Sequence, residues 1–203
     1  MQIVFASANK NKIQEISALI PSNYKLLSLE DIGITEDIPE TGLTIKDNSE
    51  IKARYVAEVL IKKKLPWAVI ADDSGLEVEA LNGEPGVYSA RYAGIQKNDT
   101  ANNKKLLDEL AKYTNRKAIF VTTITLILNN QIFFFNGEIN GTIALAPKGI
   151  KGFGYDPLFI PQGYQSTFAE LEKMSGIFFD GEVVGVALDL FKDKSLIKKM
   201  LEP

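Results

Sequence analysis

One segment near the start of the sequence has the residue types that bind phosphate groups. Ser7-Ala8-Asn9-Lys10-Asn11-Lys12 stands between an apolar run typical of a strand and a stretch with helical spacing. At such a junction, free backbone N–H groups and the positive end of the helix dipole favour an anion, and the two lysines add positive charge. A solvated loop in which an asparagine caps the helix fits this stretch equally well.

A long predicted helix, from about residue 43 to residue 63, carries a lysine on its apolar face. Lys52 lies in the middle of that face, and Asn48 lies one turn earlier on the same stripe. Burying an amide and an ammonium group is costly unless a partner satisfies them, and a bound polyanion would do so. The alternative is that Lys52 extends to the surface or pairs with a buried carboxylate.

Two acids follow a predicted buried strand at residues 67–71. Asp72 and Asp73 precede Ser74-Gly75, which indicates a tight turn at the sheet edge where α/β proteins commonly bind ligands. Because side chains alternate along a strand, we expect one of the two acids to reach the site directly. Glu40, just before the long helix, is a candidate second ligand for Mg²⁺, which takes a few carboxylates together with waters and substrate phosphates. Paired acids also serve as caps and turn formers, so the spacing alone leaves a metal site open.

The segment Lys151-Gly152-Phe153-Gly154-Tyr155-Asp156-Pro157 alternates glycines with aromatic residues. Glycines let the backbone approach a ligand closely, and an aromatic ring can stack on a nucleobase. A plain turn with an aromatic residue in the core fits the same pattern.

Composition limits the remaining chemistry. The 203 residues contain neither Cys nor His, which excludes disulfides, thiolate and histidine-dependent catalysis, and the usual zinc ligands. A net charge of -3 gives no broad attraction to nucleic acid polymers or anionic membranes, so a phosphate site must be a local cluster of donors. No stretch approaches the ~20 apolar residues of a membrane-spanning helix, and the start lacks a secretory signal, so we expect a cytoplasmic protein.

The elements that must position these residues alternate between strand and helix. Strands are predicted near residues 2–6, 25–29 and 67–71, and helices near residues 11–20, 43–63 and 100–113. Residues 119–128, a turn at Asn129-Asn130, and residues 131–135 predict a hairpin. Because no repeat or linker interrupts the chain, we expect one domain over residues 1–203, an α/β fold with a mixed sheet flanked by helices.

In combination, these patterns resemble the inosine triphosphate pyrophosphatase family, which acts on non-canonical purine nucleoside triphosphates. Five segments match in order over about the first 170 residues, and the Ser-Ala-Arg-Tyr and Gly-Phe-Gly-Tyr-Asp-Pro strings are especially specific. The matching segments are residues 7–12, residues 40–44 with Asn48 and residues 52–54, residues 71–76, residues 85–92 and residues 152–157.

The resemblance implies an elongated two-lobed fold with the nucleotide in a cleft between the lobes, and a homodimer. It also implies hydrolysis of ITP, dITP or XTP between the α and β phosphates, which gives the monophosphate and pyrophosphate and cleanses the nucleotide pool. The resemblance also implies three catalytic residues: Lys12 and Lys52 neutralise the triphosphate, and Asp73 accepts a proton. The other implied contacts are to phosphate and other parts of the substrate (Ser7, Ala8, Asn9, Lys10, Asn11, Lys12, Asn48, Ser74), to base and sugar (Phe153, Gly154, Tyr155, Asp156) and to Mg²⁺ (Glu40, Asp73).

The chain departs from the family pattern in a tail over about residues 171–203. There the family has a lysine and then a Ser-His-Arg string that helps to grip the purine, whereas this chain has Glu172-Lys173-Met174-Ser175-Gly176. Lys173 is the candidate remnant of that lysine. Because unmet hydrogen bonds let a polar site reject the wrong base, the departure leaves two alternatives open. One is a pyrophosphatase with altered base specificity, and the other is a nucleotide-binding protein with little turnover.

Overall fold

The computed structural model describes residues 2–19, 24–63, 68–128 and 130–171; residues 172–203, which include Lys173, lie outside these ranges. The strands are β1 (Gln2–Phe5), β2 (Lys25–Leu27), β3 (Ala68–Val78), β4 (Lys117–Leu128), β5 (Gln131–Ile143) and β6 (Phe159–Pro161). The α-helices are α1 (Lys10–Leu19), α2 (Ile45–Lys62) and α3 (Asp99–Leu110). In the part of the chain that the structure describes, no helix is both long enough and apolar enough to cross a membrane.

The strands form one sheet in the order β2-β1-β3-β4-β5-β6. β1 pairs in parallel with β2 and with β3, whereas β5 and β6 are antiparallel. Parallel neighbours need a crossover connection, which α1 supplies between β1 and β2. The expected α/β fold with a mixed sheet flanked by helices is confirmed.

The predicted hairpin is confirmed, because β4 and β5 are neighbours in the sheet and only residues 129–130 connect them. The prediction of a tight turn after Asp73 is wrong, because β3 continues through Ser74 and Gly75 as far as Val78. Leu76 and Val78 are buried, whereas Glu77 between them is exposed, so the alternation of a strand persists. Packing of these apolar side chains overrides the local turn preference of Ser-Gly.

The chain divides into two compact units. In the first, which includes residues up to 73 and residues 122–137, β1 and β3 carry buried side chains on both faces. Ile3 and Ile70 pack with Ile16 of α1. Val4, Val69 and the buried stripe of α2 form a separate cluster. The strands therefore lie between α1 on one face and α2 on the other.

The second unit includes residues 74–121 and 138–171 and has its own core. Leu106 and Leu110 of α3 pack there with Leu76, Tyr155 and Phe159. The buried stripe of α3 also includes two adjacent polar residues, Asn102 and Asn103. Amides on the buried face of a helix require hydrogen-bond partners, and these partners lie in the loops that surround α3.

The start of α2 is fixed by a capping box. The side chain of Thr44 accepts a hydrogen bond from the backbone N–H of Asp47 at 3.0 Å, and the Asp47 carboxylate accepts one from the backbone N–H of Thr44 at 3.0 Å. These two bonds satisfy N–H groups that the first turn leaves without partners inside the helix. They also set where α2 begins, and so which face presents Asn48 and Lys52.

Candidate active site

Lys52 lies at the centre of a group of ionisable side chains in the first unit. Its Nζ donates to Oε1 of Glu40 at 3.1 Å and to Oδ1 of Asp73 at 2.9 Å. The three side chains are only 12%, 24% and 13% exposed, respectively. The structure therefore shows Lys52 paired with two half-buried carboxylates, and these are the two acids that the family resemblance assigns to the metal.

A second pair forms on the other face of the sheet, where Lys12 of α1 donates to the carboxylate of Asp72. The two acids lie on opposite faces, as the alternation of side chains predicted, and the expectation that one of them reaches the ligand directly stays a prediction. Asp72 shares the face of Ile70, which α1 covers, and Asp73 shares the face of Ala71, which α2 covers. Each acid thus meets a lysine from a different helix. We call Lys12, Glu40, Lys52, Asp72 and Asp73 the charge cluster.

The position of the charge cluster follows from the register of the sheet. Phe5, the last residue of β1, lies opposite Ile70 of β3. Asp72 and Asp73 therefore extend past the carboxyl end of β1, where β3 has no β1 residue beside it. In open α/β sheets, ligands bind outside the carboxyl ends of parallel strands.

Burial and charge act against each other in the cluster. Burial by itself would lower the pKa of Lys52, but the carboxylates of Asp73, Asp72 and Glu40 outweigh it and raise that pKa. Burial would likewise raise the pKa of Asp72, but Lys12 and Lys52 hold it below its usual value. For Asp73, burial outweighs Lys52, so its pKa is raised. Lys52 therefore stays charged, and Asp73 is a better proton acceptor than an ordinary aspartate.

Asn48, one turn before Lys52, is 1% exposed. Its Oδ1 accepts a hydrogen bond from the backbone N–H of Gly42 at 2.7 Å, and its Nδ2 has no hydrogen-bond partner among the described residues. A side chain at position 42 would not fit, since an added Cβ would lie 2.6 Å from the Cβ of Asp47 and 2.8 Å from the backbone N of Asn48. The loop thus fixes the orientation of the amide and leaves one buried donor available, which is rare in proteins without a ligand to explain it.

The segment from Ser7 to Lys12 caps α1 and contributes one lysine to the charge cluster. Oδ1 of Asn9 accepts from the backbone N–H of Asn11 at 2.9 Å, so Asn9 caps α1. Ala8, Lys10 and Asn11 are exposed, and Ser7 accepts from the backbone N–H of Asn9 at 3.3 Å. Lys12 is the member of this segment that the structure places in the charge cluster. Phosphate binding by the other five residues stays a prediction.

The glycine-rich segment at residues 151–157 lies in the second unit and forms a loop that one of its own side chains stabilises. The carboxylate of Asp156 accepts a hydrogen bond from the backbone N–H of Phe153 at 2.8 Å. The ring of Tyr155 is buried in the core and its hydroxyl donates to the carbonyl of Ser89 at 3.0 Å, which fits the alternative of an aromatic residue in the core. A contact of Tyr155 with base or sugar stays a prediction. The half-buried ring of Phe153 is the one suited to stacking. Ser74, which follows Asp73 on β3, is half-buried.

Sequence reasoning missed the residues that hold Gly154. The backbone N–H of Gly154 donates to Oδ2 of Asp99 at 2.7 Å, and Nδ2 of Asn103 donates to the carbonyl of Gly154 at 2.9 Å. One signal for them is present in the sequence: Asn102 and Asn103 lie on the apolar stripe of α3, where polar side chains need buried partners.

The donor set of the charge cluster fits a divalent cation that shares its coordination with substrate. Among residues 2–19, 24–63, 68–128 and 130–171, no three His, Cys, Asp or Glu side chains come together as a metal cage. Glu40 and Asp73 supply two carboxylates, and both contact the same ammonium group. Mg²⁺ is commonly bound by one or two carboxylates, with waters and substrate phosphates as the other ligands.

The fold and the charge cluster define an α/β protein whose site suits a polyphosphate and a divalent cation. The chain belongs to the Ham1 family, whose family model matches residues 3–175. The family resemblance carried by the five sequence segments is confirmed by this match and by the relatives.

Similar proteins match along nearly the whole chain. The dITP/XTP pyrophosphatase of Flavobacterium psychrophilum is 51% identical over 195 residues, which cover 95% of this chain and 100% of that protein. The dITP/XTP pyrophosphatase of Flavobacterium johnsoniae is 50% identical over 94% of this chain and 97% of its own length. Among solved structures, the Staphylococcus aureus Ham1 protein aligns with a TM-score of 0.83 at 38% identity, over 95% of this chain and 98% of that one. A HAM1 protein from Coxiella burnetii aligns with a TM-score of 0.85 at 35% identity, over 95% and 99%.

The pairing of Lys52 predicts how the protein responds when the ammonium group is removed. Lys52→Met leaves Glu40 and Asp73 together without their positive partner, so in a chelator the free energy of unfolding should fall by about 3 kcal/mol. Added Mg²⁺ should recover part of this loss, because a cation again lies between the carboxylates. Urea denaturation with and without Mg²⁺ measures both effects.

Lys62→Met is the matched control, since Lys62 is an exposed lysine on the same helix. It should change the free energy of unfolding little under either condition. A Lys52→Met variant as stable in chelator as the unmodified protein would contradict the pairing.

Proposed function

We propose that this chain hydrolyses non-canonical purine nucleoside triphosphates, such as ITP, dITP and XTP, to the nucleoside monophosphate and pyrophosphate. The observation that carries the proposal is the charge cluster, in which Lys52 contacts both Glu40 and Asp73 in a member of the Ham1 family. Its relatives from two Flavobacterium species are named dITP/XTP pyrophosphatases. Such an activity would remove aberrant purines from the precursor pool.

The two lysines supply the positive charge that a triphosphate requires. Lys12 comes from α1 and Lys52 from α2, so they reach Asp72 and Asp73 of β3 from opposite faces of the sheet. Before substrate arrives, the acids hold both ammonium groups in place, which reduces the ordering that binding would otherwise need. Bonds between an ammonium group and phosphate oxygens are charge-assisted and about twice as strong as neutral ones.

Asn48 adds a neutral donor beside this positive charge. Because its Oδ1 is occupied by the backbone N–H of Gly42, the amide cannot turn over without losing that bond. Its Nδ2 is then the atom available to a phosphate oxygen. A substrate oxygen would satisfy a buried donor that otherwise costs the folded protein about 1–3 kcal/mol.

The chemical step needs a water molecule, a proton acceptor and neutralisation of the developing negative charge. Glu40 and Asp73 would hold Mg²⁺, which when bound polarises phosphate oxygens and makes nearby water more acidic. Asp73 would accept the proton that a water molecule loses as the water oxygen bonds to the α phosphorus and the α–β phosphoanhydride bond breaks. Pyrophosphate leaves, and Lys12 and Lys52 neutralise charge on the phosphate groups throughout.

Recognition of the base is proposed for Phe153 and Asp156, on the resemblance of their segment to the family motif. The half-buried ring of Phe153 stacks on the purine, and Asp156 shapes the loop by accepting the backbone N–H of Phe153. The atypical tail raised two alternatives, altered base specificity and binding without turnover. Relatives named for dITP and XTP that match about 95% of this chain do not favour either one.

The proposal also includes Mg²⁺ as the divalent ion, a homodimer, and a cytoplasmic location where the nucleotide pool is held. Light scattering on the purified protein tests the assembly. A mass equal to two chains is expected, and a mass equal to one chain would remove the dimer from the proposal.

The products of the reaction test the proposed function directly. With Mg²⁺, the protein should convert ITP and XTP to the monophosphate and release one pyrophosphate per nucleotide, with ATP and GTP much poorer substrates. Chelation of the metal should abolish release. Chromatography of the nucleotides together with separate assays for pyrophosphate and orthophosphate measures this. Orthophosphate as the first product would refute the assigned bond cleavage.

Substitution of Asn48 tests its proposed phosphate contact. Asn48→Asp keeps the oxygen that accepts from Gly42 but replaces the buried donor with a negative charge. We expect kcat/KM for ITP to fall about a hundredfold or more, because like charges brought together cost several kcal/mol. Asn48→Ala, which loses both hydrogen-bonding groups, should retain more activity than Asn48→Asp. Activity in the Asp variant equal to or above that in the Ala variant would rule out a phosphate oxygen at this position.

A further inference from the structure

We propose that α3 positions the loop that contacts the nucleoside, and that Asp99 and Asn103 thereby set the selectivity of the site for the base. The inference rests on the proposed function, in which Phe153 and Asp156 contact base and sugar. Asp99 and Asn103 are positioning residues, because they act on this loop through the backbone of Gly154.

The two residues hold one glycine from both sides of its backbone. Asp99 accepts the N–H of Gly154 at 2.7 Å, and Asn103 donates to its carbonyl at 2.9 Å. Residues four positions apart in a helix are neighbours on one face, so a single face of α3 satisfies both backbone groups of Gly154. We call this arrangement the Gly154 clamp.

The clamp acts at a residue whose conformation determines the shape of the loop. Gly154 has a φ of +59°, in the left-handed region that other residues rarely adopt. An added Cβ would meet open space, so the glycine is required by its backbone conformation and not by crowding. Phe153 and Tyr155 flank Gly154 directly. Rotation at Gly154 would therefore move the ring of Phe153 relative to the anchored ring of Tyr155.

The same helix also holds the turn on which Tyr155 is anchored. The hydroxyl of Tyr155 donates to the carbonyl of Ser89 at 3.0 Å. Asn102 donates to the carbonyl of Ala90 at 3.1 Å and accepts from the backbone N–H of Ala93 at 2.7 Å. The adjacent asparagines of α3 thus fix the Ser-Ala-Arg-Tyr segment and the Gly-Phe-Gly-Tyr segment to one rigid element. The Gly154 clamp attaches the Phe153 side of the loop to this helix.

Burying the side chain of Asn103 is energetically unfavourable. This side chain is only 8% exposed, and its Oδ1 has no hydrogen-bond partner among the described residues. A leucine would fill similar volume on the buried stripe of α3 without this penalty. The retained amide is explained by the bond that its Nδ2 gives to Gly154.

Base selectivity tests the Gly154 clamp, because a smaller fraction of folded protein lowers the activity on every substrate by the same factor. The ratio of kcat/KM for ITP to that for ATP is independent of the fraction of active molecules. In Asp99→Ala this ratio should fall about tenfold or more, since a misplacement of ~1 Å at a precise site costs about a hundredfold. The change should lie in KM, with kcat for ITP close to its original value, because the charge cluster is intact.

Two variants serve as matched comparisons for Asp99→Ala. Asp99→Asn keeps an oxygen that can accept the N–H of Gly154, so it should restore most of the selectivity. Asp108→Ala removes a carboxylate from the same helix that pairs with Lys104 on the exposed surface, so it should leave the ratio unchanged. Asn103→Leu should lower selectivity like Asp99→Ala, while its melting temperature stays the same or rises.

Binding of monophosphates separates this inference from the proposed function. Calorimetry gives the Kd of IMP and of AMP for each variant without any turnover, and the preference for IMP should fall in Asp99→Ala and Asn103→Leu. Failure to release pyrophosphate would contradict the proposed function, whereas the clamp would still be decided by these Kd values. Equal affinities of the unmodified protein for IMP and AMP, or an unchanged preference in both variants, would overturn the clamp.

Discussion

Asp72 and Asp73 are neighbours on β3, so their side chains lie on opposite faces of the sheet. The charge cluster depends on this alternation. α1 covers one face and brings Lys12 to Asp72, whereas α2 covers the other and brings Lys52 to Asp73. Because β1 ends opposite Ile70, both pairs lie just past the end of a parallel strand. Two consecutive acids are thus enough to hold two lysines that come from different layers of the fold.

Burial makes this arrangement costly and also useful. A buried ion pair stabilises a protein little, because desolvation offsets the attraction between the charges. In the charge cluster the acids keep the lysines ionised, and burial in turn raises the pKa of Asp73. The groups that would meet a triphosphate are therefore charged and oriented before it binds. Preorganised charges of this kind are the largest single contribution in many enzymes.

Periodicity predicted the three α-helices and the strands β1 to β5, because most of these elements bury a stripe or face of their own, but it did not predict β6. It ended β3 too early, because burial of Leu76 and Val78 depends on the core of the second unit. Sequence marked Lys52 as anomalous on its helix, but whether an acid or a ligand satisfies it depends on contacts between residues distant in sequence. The Gly154 clamp joins residues 55 positions apart, so Asp99 carried no local sign of its role.

The most direct measurement is a crystal structure with Mg²⁺ and an ITP analogue whose α–β bridge resists hydrolysis. The account predicts that Glu40 and Asp73 coordinate the ion, and that Lys12 and Lys52 contact oxygens of the polyphosphate. Nδ2 of Asn48 should also gain an oxygen partner. A polyphosphate bound away from both lysines, with Lys52 still paired to its two acids and the ion held by other residues, would contradict the account.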